Sequence, residues 1–251
     1  MGESPAYDVP PGDLLGDRFR EFFRLTAEEE EALSGALGPI QQFPRDHVLR
    51  RDGAEPTHLY LLVEGWVAAS IPLTSGKQQI IKIHLPRDLV GAASLCVIRA
   101  ADCLTAVTPV AVRKISRADL MSLFVRYPRI ASSLFLSAQK ERVALMDSLA
   151  IRQSEGGARI AGMLTDLHDR LGALGLVTDG AFQLPLTQDQ IGDLVGLSPV
   201  HVNRKLREMD NAGIIERTAR MIRLSDIDRL RVMANLPSHT YQRDPDWVLL
   251  P

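Results

Sequence analysis

The chain has 251 residues, 45% of them hydrophobic and 24% charged, with 29 Lys+Arg against 31 Asp+Glu. That apolar fraction is enough to bury a core, which excludes wholesale disorder, and no run approaches the ~18 apolar residues that a membrane span needs. The formal net charge of −2 excludes bulk polyanion binding, so any nucleic-acid contact must come from a localised basic surface.

The N-terminal stretch MGESPAYDVPPGDLLGD has neither the basic nor the apolar segment of a signal peptide, so a cytoplasmic chain is expected. Cys96 and Cys103 are the two cysteines; two do not make a disulfide framework. Residues 1–17 read as an N-terminal arm, and a helical stretch follows at Arg18–Leu25. Thr26-Ala-Glu-Glu29 is a capping-box pattern that opens a short helix to about Leu37, where Gly38-Pro39 stops it.

From Ile40 to Ile115 short apolar runs alternate with turn residues. The runs are His58–Val63, Gly65–Ile71, Gln79–Leu85 and Thr105–Ile115, with Glu64-Gly65 and Ser75-Gly76 as tight turns between them. Many short strands at regular spacing predict a β barrel of jelly-roll type. Pro128 then suits the first turn of a long helix to about Gln153. A stripe of Ile130, Leu134, Ala138, Leu145 and Leu149 runs along it, interrupted by Glu141. The stripe either pairs with the same helix of a second chain or lies on the helix's own barrel. In the first case Leu136, Val143 and Met146 would face the barrel. Gly156-Gly157 is the expected hinge. The division is therefore an arm 1–17, a barrel domain 18–127, a long helix 128–155, a second, smaller domain 156–236 and a tail 237–251.

Residues 186–209 read LTQDQIGDLVGLSPVHVNRKLREM. Thr187 and Gln190 form a second capping box, and Ile191, Leu194 and Val195 make an apolar face. Gly196 can take the positive φ of a short turn, Ser198 is a good N-cap, and Pro199 sits at the first helical position. Val202, Leu206 and Met209 then face inward. Two short helices across a three-residue turn with Gly predict a helix-turn-helix, whose second helix enters the DNA major groove. Its outward residues are Val200, His201, Asn203, Arg204 and Arg207; Arg suits guanine, Asn adenine, and an exposed Val the thymine methyl. Two strands around Thr218–Arg220 make a wing, with Arg217, Arg220 and Arg223 suited to phosphates. From Arg204 to Arg223 six basic residues face three acids, a modest footprint that favours binding by two copies.

Barrel, long helix and winged helix-turn-helix, in that order, resemble the Crp/Fnr superfamily of bacterial transcription regulators over roughly residues 20–230. Leu186–Leu206 carries most of the likeness; Leu59-Tyr-Leu-Leu-Val-Glu-Gly-Trp-Val67 and Leu85-Pro-Arg-Asp-Leu-Val-Gly91 support it. The resemblance implies an α+β fold: a cyclic-nucleotide-binding-like β barrel, a dimerisation helix and a C-terminal winged domain. It implies a homodimer on an inverted repeat of double-stranded DNA, with RNA polymerase as a further partner and no membrane. Ser198, His201 and Arg207 fall where family members contact phosphate, and Arg204 where they read a base. Pro199 and Val200 differ from base-reading residues of the cyclic-nucleotide-responsive members, so the half-site should differ too. Thr187 and Gln188, at the start of the first helix, complete the DNA-facing set with Asn203, Arg217 and Arg220.

Cyclic-nucleotide readers of this family carry a Gly-Glu pair and, some ten residues on, an Arg followed by Ser or Thr. The effector pocket here is placed at Gly91, Ala92, Ala93, Arg99 and Cys103. Ala92 replaces the Glu, Ala100 stands at the Arg position with Arg99 one residue away, and Asp102 puts a negative charge where a phosphate would sit. The pocket is therefore expected not to take a cyclic nucleotide. Two thiols cannot hold an iron–sulfur cluster, and His47, His58 and His84 read as surface residues rather than haem ligands. No cofactor and no metal is expected. A redox pair at Cys96 and Cys103, an apolar effector, or no effector at all stay open. The chain has no nucleophile elbow, P-loop or dinucleotide fingerprint, so it does not read as an enzyme. The competing reading is a small-ligand or partner-binding signalling module with a degenerate DNA domain.

Overall fold

The computed structural model describes Phe22, residues 24–241 except Ser75, Lys77, Ala219 and Ser238, and Pro245. The arm 1–17, most of the helix expected at Arg18–Leu25, and the tail's Trp247 lie outside these residues. Helix α1 (Ala27–Ala36) starts at Thr26, and both bonds of its capping box form: Thr26 N to Glu29 Oε2 at 2.7 Å and Glu29 N to Thr26 Oγ1 at 3.2 Å. Arg113 holds its other end by donating to the carbonyls of Gly38 and Leu37 at 2.8 and 2.9 Å.

The barrel strands are β1 (Ile40–Phe43), β2 (Val48–Arg50), β3 (His58–Glu64), β4 (Val67–Pro72), β5 (Gln78–His84), β6 (Leu89–Val90), β7 (Cys103–Ala106) and β8 (Val110–Ser116). They form two antiparallel sheets, β1-β8-β3-β6 and β2-β7-β4-β5. Gly65 turns β3 into β4 at φ 85°; a Cβ there would lie 2.2 Å from the Pro109 carbonyl oxygen, so only glycine fits.

One strand pair is apolar on both faces. Val67 and Ala69 of β4 point into the barrel core with Leu62, Leu104 and Val112. Ala68, with Ile80, Ile83, Leu85 and Trp66, joins a different core on the outside. Ile80 and Ile83 are an odd number of residues apart, and a ladder irregularity opposite Ala69/Ser70 lets both reach that outer face.

Helices α2 (Arg117–Arg126) and α3 (Pro128–Ile151) follow, and α3 has three differently occupied faces. Ile130 is buried with Leu120 and Leu123, and Leu134 packs against them. Further along this side Lys82 Nζ reaches Glu141 Oε1 at 2.6 Å. The chain beyond the last helix returns along a second face: His239 Nε2 lies 3.0 Å from Asp147 Oδ2, and Lys140 Nζ sits 5.0 Å from the Tyr241 ring centre. The third face is exposed. It carries Phe135, Ala138, Arg142, Leu145 and Leu149 at alternating steps of three and four. The expected stripe is thus corrected: Ile130 and Leu134 belong to the chain's own barrel, and Phe135 and Arg142 replace them on the open seam. Leu136 and Val143 are half-buried and Met146 is exposed, and the barrel side is instead the side of Ile130, Ser133 and Ser137.

The helix breaks at Arg152–Glu155, before the glycine pair, and Gly156 opens α4 (Gly156–Ala173). The expected hinge at Gly156-Gly157 therefore moves back by a few residues. Gly156 answers a packing need instead, since a Cβ would sit 3.1 Å from Leu197 Cδ1. β9 (Ala181–Gln183), α5 (Gln188–Val195), α6 (Pro199–Asn211), β10 (Ile215–Arg217), β11 (Met221–Leu224) and α7 (Ile227–Ala234) complete the winged unit, its sheet ordered β10-β11-β9. Its core of Ile160, Leu164, Leu167, Phe182, Ile191, Val202 and Leu206 is continuous with the outer face of β4 and β5. Among the described residues no helix is long and apolar enough to cross a membrane.

His84, expected at the surface, is buried instead, 3.3 Å from Asp88 Oδ2. Burial pushes its pKa below the ordinary imidazole value, against the opposing pull of Asp88 and Glu141; Lys82 lowers it further. As pH falls below about 6.5 the unfolded chain takes up a proton that the folded chain resists. Stability should therefore be full above that pH and decline below it, by up to ~1.4 kcal/mol per pH unit. Urea midpoints measured from about pH 7 to pH 5 should show this decline, and His84→Gln should flatten it.

Candidate nucleic-acid interface

The helix-turn-helix is built from local bonds. Thr187 N donates to Gln190 Oε1 at 3.0 Å and Gln190 N to Thr187 Oγ1 at 3.2 Å, which starts α5. Gly196 ends it at φ 71° in the left-handed region. Gly192 lets the two helices close, because a Cβ there would come 2.5 Å from the Leu197 carbonyl oxygen. Ser198 caps α6, accepting from His201 N at 3.3 Å. Its hydroxyl also lies 3.0 Å from His201 Nδ1.

Val202, Leu206 and Met209 bury the inner side of α6. Thr187, Gln188, Ser198, Val200, His201, Arg204 and Arg207 are exposed on the outer side, Val200 at 79%, and Asn203 is half-buried beside them. An apolar residue that exposed is available for contact rather than packing. Glu208 serves as internal counterion: Lys205 Nζ approaches it at 2.7 Å and Arg204 Nε at 3.7 Å. The Lys205 hydrogen bond holds the Glu208 carboxyl below its usual range.

In the wing, Arg220 is exposed at the turn between β10 and β11. Arg217 is not presented in the same way. Its Nε lies 3.4 Å from Asp210 Oδ2, so it ties the wing to α6 rather than offering a free charge. Arg223 bonds the Asp179 carbonyl at 3.0 Å.

Arg159 escaped the sequence reading. From α4 its Nη1 donates to the carbonyls of Val195 and Gly196 at 3.1 and 3.0 Å. A cation at the C-terminal end of α5 satisfies carbonyls that the helix leaves open and opposes the negative end of its dipole. It locks the turn between the two helices. A lone arginine about thirty-six positions away carries no local signal of that role.

The barrel's expected effector pocket holds an ion pair. Arg50 Nη2 pairs with Asp102 Oδ1 and donates to Ser94 Oγ at 3.0 Å, and Ser94 Oγ donates to the same Asp102 oxygen at 2.8 Å. Arg50 and Ser94 are buried. Gly91 makes room: a Cβ there would lie 2.7 Å from Arg50 Nη1. Ala92 and Ala93 open the single 3-10 turn that follows (Ala92–Cys96). Arg99, expected to charge the pocket, is exposed and bonds the Gly53 carbonyl at 3.4 Å. The cation in the pocket is Arg50, from β2. Cys103 is buried and Cys96 exposed, both as free thiols. Among the described residues no group of three His, Cys, Asp or Glu could hold a metal ion.

Comparison with known proteins follows the same division. Residues 40–127 match the family model of the cyclic nucleotide-binding domain, and residues 158–233 that of the Crp-like helix-turn-helix domain. The "CRP-like cAMP-activated global transcriptional regulator" of Mycobacterium tuberculosis is 27% identical over 203 residues, 79% of this chain and 89% of that protein. The "Anaerobic regulatory protein" of Haemophilus influenzae is 22% identical over 214 residues, 83% of this chain and 81% of that one. The solved structure of FixK2 from Bradyrhizobium japonicum has the same fold, with a TM-score of 0.73 at 23% identity over 80% of this chain and 98% of that one.

Arg159→Met should cost about 1–3 kcal/mol, since it strips a charged donor from two carbonyls. Thermal unfolding measures that loss, and DNA titration should show weakened binding without change at any DNA-facing residue.

Proposed function

The chain belongs to the Crp/Fnr superfamily of transcription regulators, and we propose that it acts as a homodimer that binds an inverted-repeat promoter site without a cyclic-nucleotide effector. Two copies pair along the open seam Phe135, Ala138, Arg142, Leu145 and Leu149 of α3. Heptad steps on a helix face that the described residues leave exposed support that pairing. Each copy places α6 in one of two successive major grooves about one helical turn apart. Arg204 reads a base, with Asn203 and Val200 beside it. Ser198, His201, Arg207 and Arg220 hold phosphates, and Thr187 and Gln188 meet the backbone at the start of α5. RNA polymerase is the machinery such a dimer acts on, in the cytoplasm.

The ion pair in the barrel is the observation that carries the effector part of this reading. Arg50 and Ser94 converge on a single carboxylate oxygen of Asp102. An incoming phosphate would have to compete with that carboxylate for the buried Arg50 and separate a formed ion pair, which opposes its binding. The mycobacterial relative is named for activation by cAMP; this chain carries its own anion at the position a ligand would use.

Selection from random DNA with the purified protein, under reducing conditions and without added ligand, should recover an inverted repeat. Adding cAMP should not change the affinity for it. Arg204→Ala should cost ~1–3 kcal/mol on the selected site and relax its base preference, and Arg220→Ala should weaken all sequences alike and lower the salt slope. No enrichment without ligand, together with enrichment on adding cAMP, would refute the reading.

A further inference from the structure

We infer that Arg170 is a positioning residue for DNA binding: it fixes the winged domain against its own barrel, so that the spacing of the two recognition helices is set before DNA arrives. The inference rests on the homodimer reading above.

Arg170 lies near the end of α4 and crosses from the winged domain to the barrel. Its Nη2 donates to the Ile83 carbonyl at 2.8 Å and to Asp88 Oδ2 at 3.1 Å, and its Nη1 reaches Asp166 on its own helix at 3.1 Å. Burial works against the charge, but Asp166 and Asp88 outweigh it and the pKa is raised, so the group stays cationic. Asp88 is buried and also accepts from Leu85 N at 3.2 Å, which fixes the turn that presents it. Around this pair Gln79 of β5 donates to the Asp193 carbonyl of α5, and Ile80, Ile83 and Leu85 pack into the winged domain's core.

The covalent link between α3 and α4 is four residues, Arg152–Glu155. Such a link leaves orientation free unless something else removes that freedom. The apolar face supplies attraction but no direction; the guanidinium, held by the Ile83 carbonyl of β5 and the Asp88 carboxylate of the turn that follows it, supplies direction. The docked arrangement leaves Thr187, Gln188, Val200, His201, Arg204 and Arg207 exposed, so it does not block the reading face. Asp88 also leads directly into β6 and Gly91, whose carbonyl accepts from Arg50 at 3.4 Å. The domain mount and the barrel's ion pair therefore share one short segment.

Fixed spacing raises the effective concentration of the second recognition helix once the first is bound. The test uses full-length protein and fluorescence anisotropy on three DNAs: a single half-site, the selected inverted repeat, and that repeat with base pairs added between its halves. Wild type should bind the repeat tightly and lose affinity steeply with changed spacing. Arg170→Met should bind the half-site as wild type does, lose roughly ten-fold on the full repeat, and respond weakly to spacing. Arg170→Lys, which keeps a cation within reach of Asp88, should recover part of the spacing preference. Asp88→Asn breaks the same pair from the barrel side and should reproduce the pattern if Arg170→Met proves unstable by thermal unfolding. A wild-type spacing profile in both Arg170→Met and Asp88→Asn would overturn the inference. A wild-type protein that prefers the repeat to the half-site but binds every spacing alike would overturn the inference alone; one that binds the repeat no more tightly than the half-site would overturn the homodimer reading and the inference with it.

Discussion

The strand pair β4–β5 must bury both of its faces, and the architecture follows from that requirement. Val67 and Ala69 satisfy the inner face within the barrel; Ala68, Ile80 and Ile83 on the outer face would meet water if the winged domain were elsewhere. Each such isoleucine side chain is worth roughly 1.5–3 kcal/mol when taken out of water. A few of them favour the docked form over one in which the domain swings on the Arg152–Glu155 link. The ladder irregularity in β4–β5 puts Ile80 and Ile83 on the same side and so creates the docking face.

Charge then decides what apolar burial leaves undetermined. Three arginines, one on β2 and two on α4, do comparable work: Arg50 fills the barrel's pocket with its own ion pair, Arg170 orients the winged domain, and Arg159 locks the helix-turn-helix. The exposed residues of the helix-turn-helix, Val200, His201, Arg204 and Arg207, lie on a surface whose shape those contacts hold constant. In the proposed function such a surface is assembled for binding by the chain's own side chains.

The parts of the molecule legible in the sequence are those built from short-range signals. The capping boxes at Thr26 and Thr187, the left-handed Gly196, the N-cap Ser198 and the strand–turn–strand around Gly65 each depend on neighbours within a few positions, and each forms as read. Contacts that close over long separations left no such trace. Arg50 and Asp102 are 52 positions apart, Asp88 and Arg170 82. Periodicity along α3 marks faces to be covered but not what covers them: a stripe through Ile130 and Leu134 fits a second chain or the chain's own barrel, and the barrel claims both. Gly156 reads as a hinge because glycine permits one; its place in α4 is explained only by Leu197 pressing on it. His84, at the end of a strand, reads as exposed because the strand pattern does not show the turn that brings Asp88 back beside it.

The central claim is that the two recognition helices hold a fixed separation in the free protein. Spin labels at Val232, which is exposed on α7 and outside the helix-turn-helix, would report it through dipolar distance measurement on the proposed dimer. The account predicts one narrow distance distribution that stays the same when the inverted repeat or cAMP is added. A broad distribution in the free protein that narrows or shifts when either is bound would contradict it.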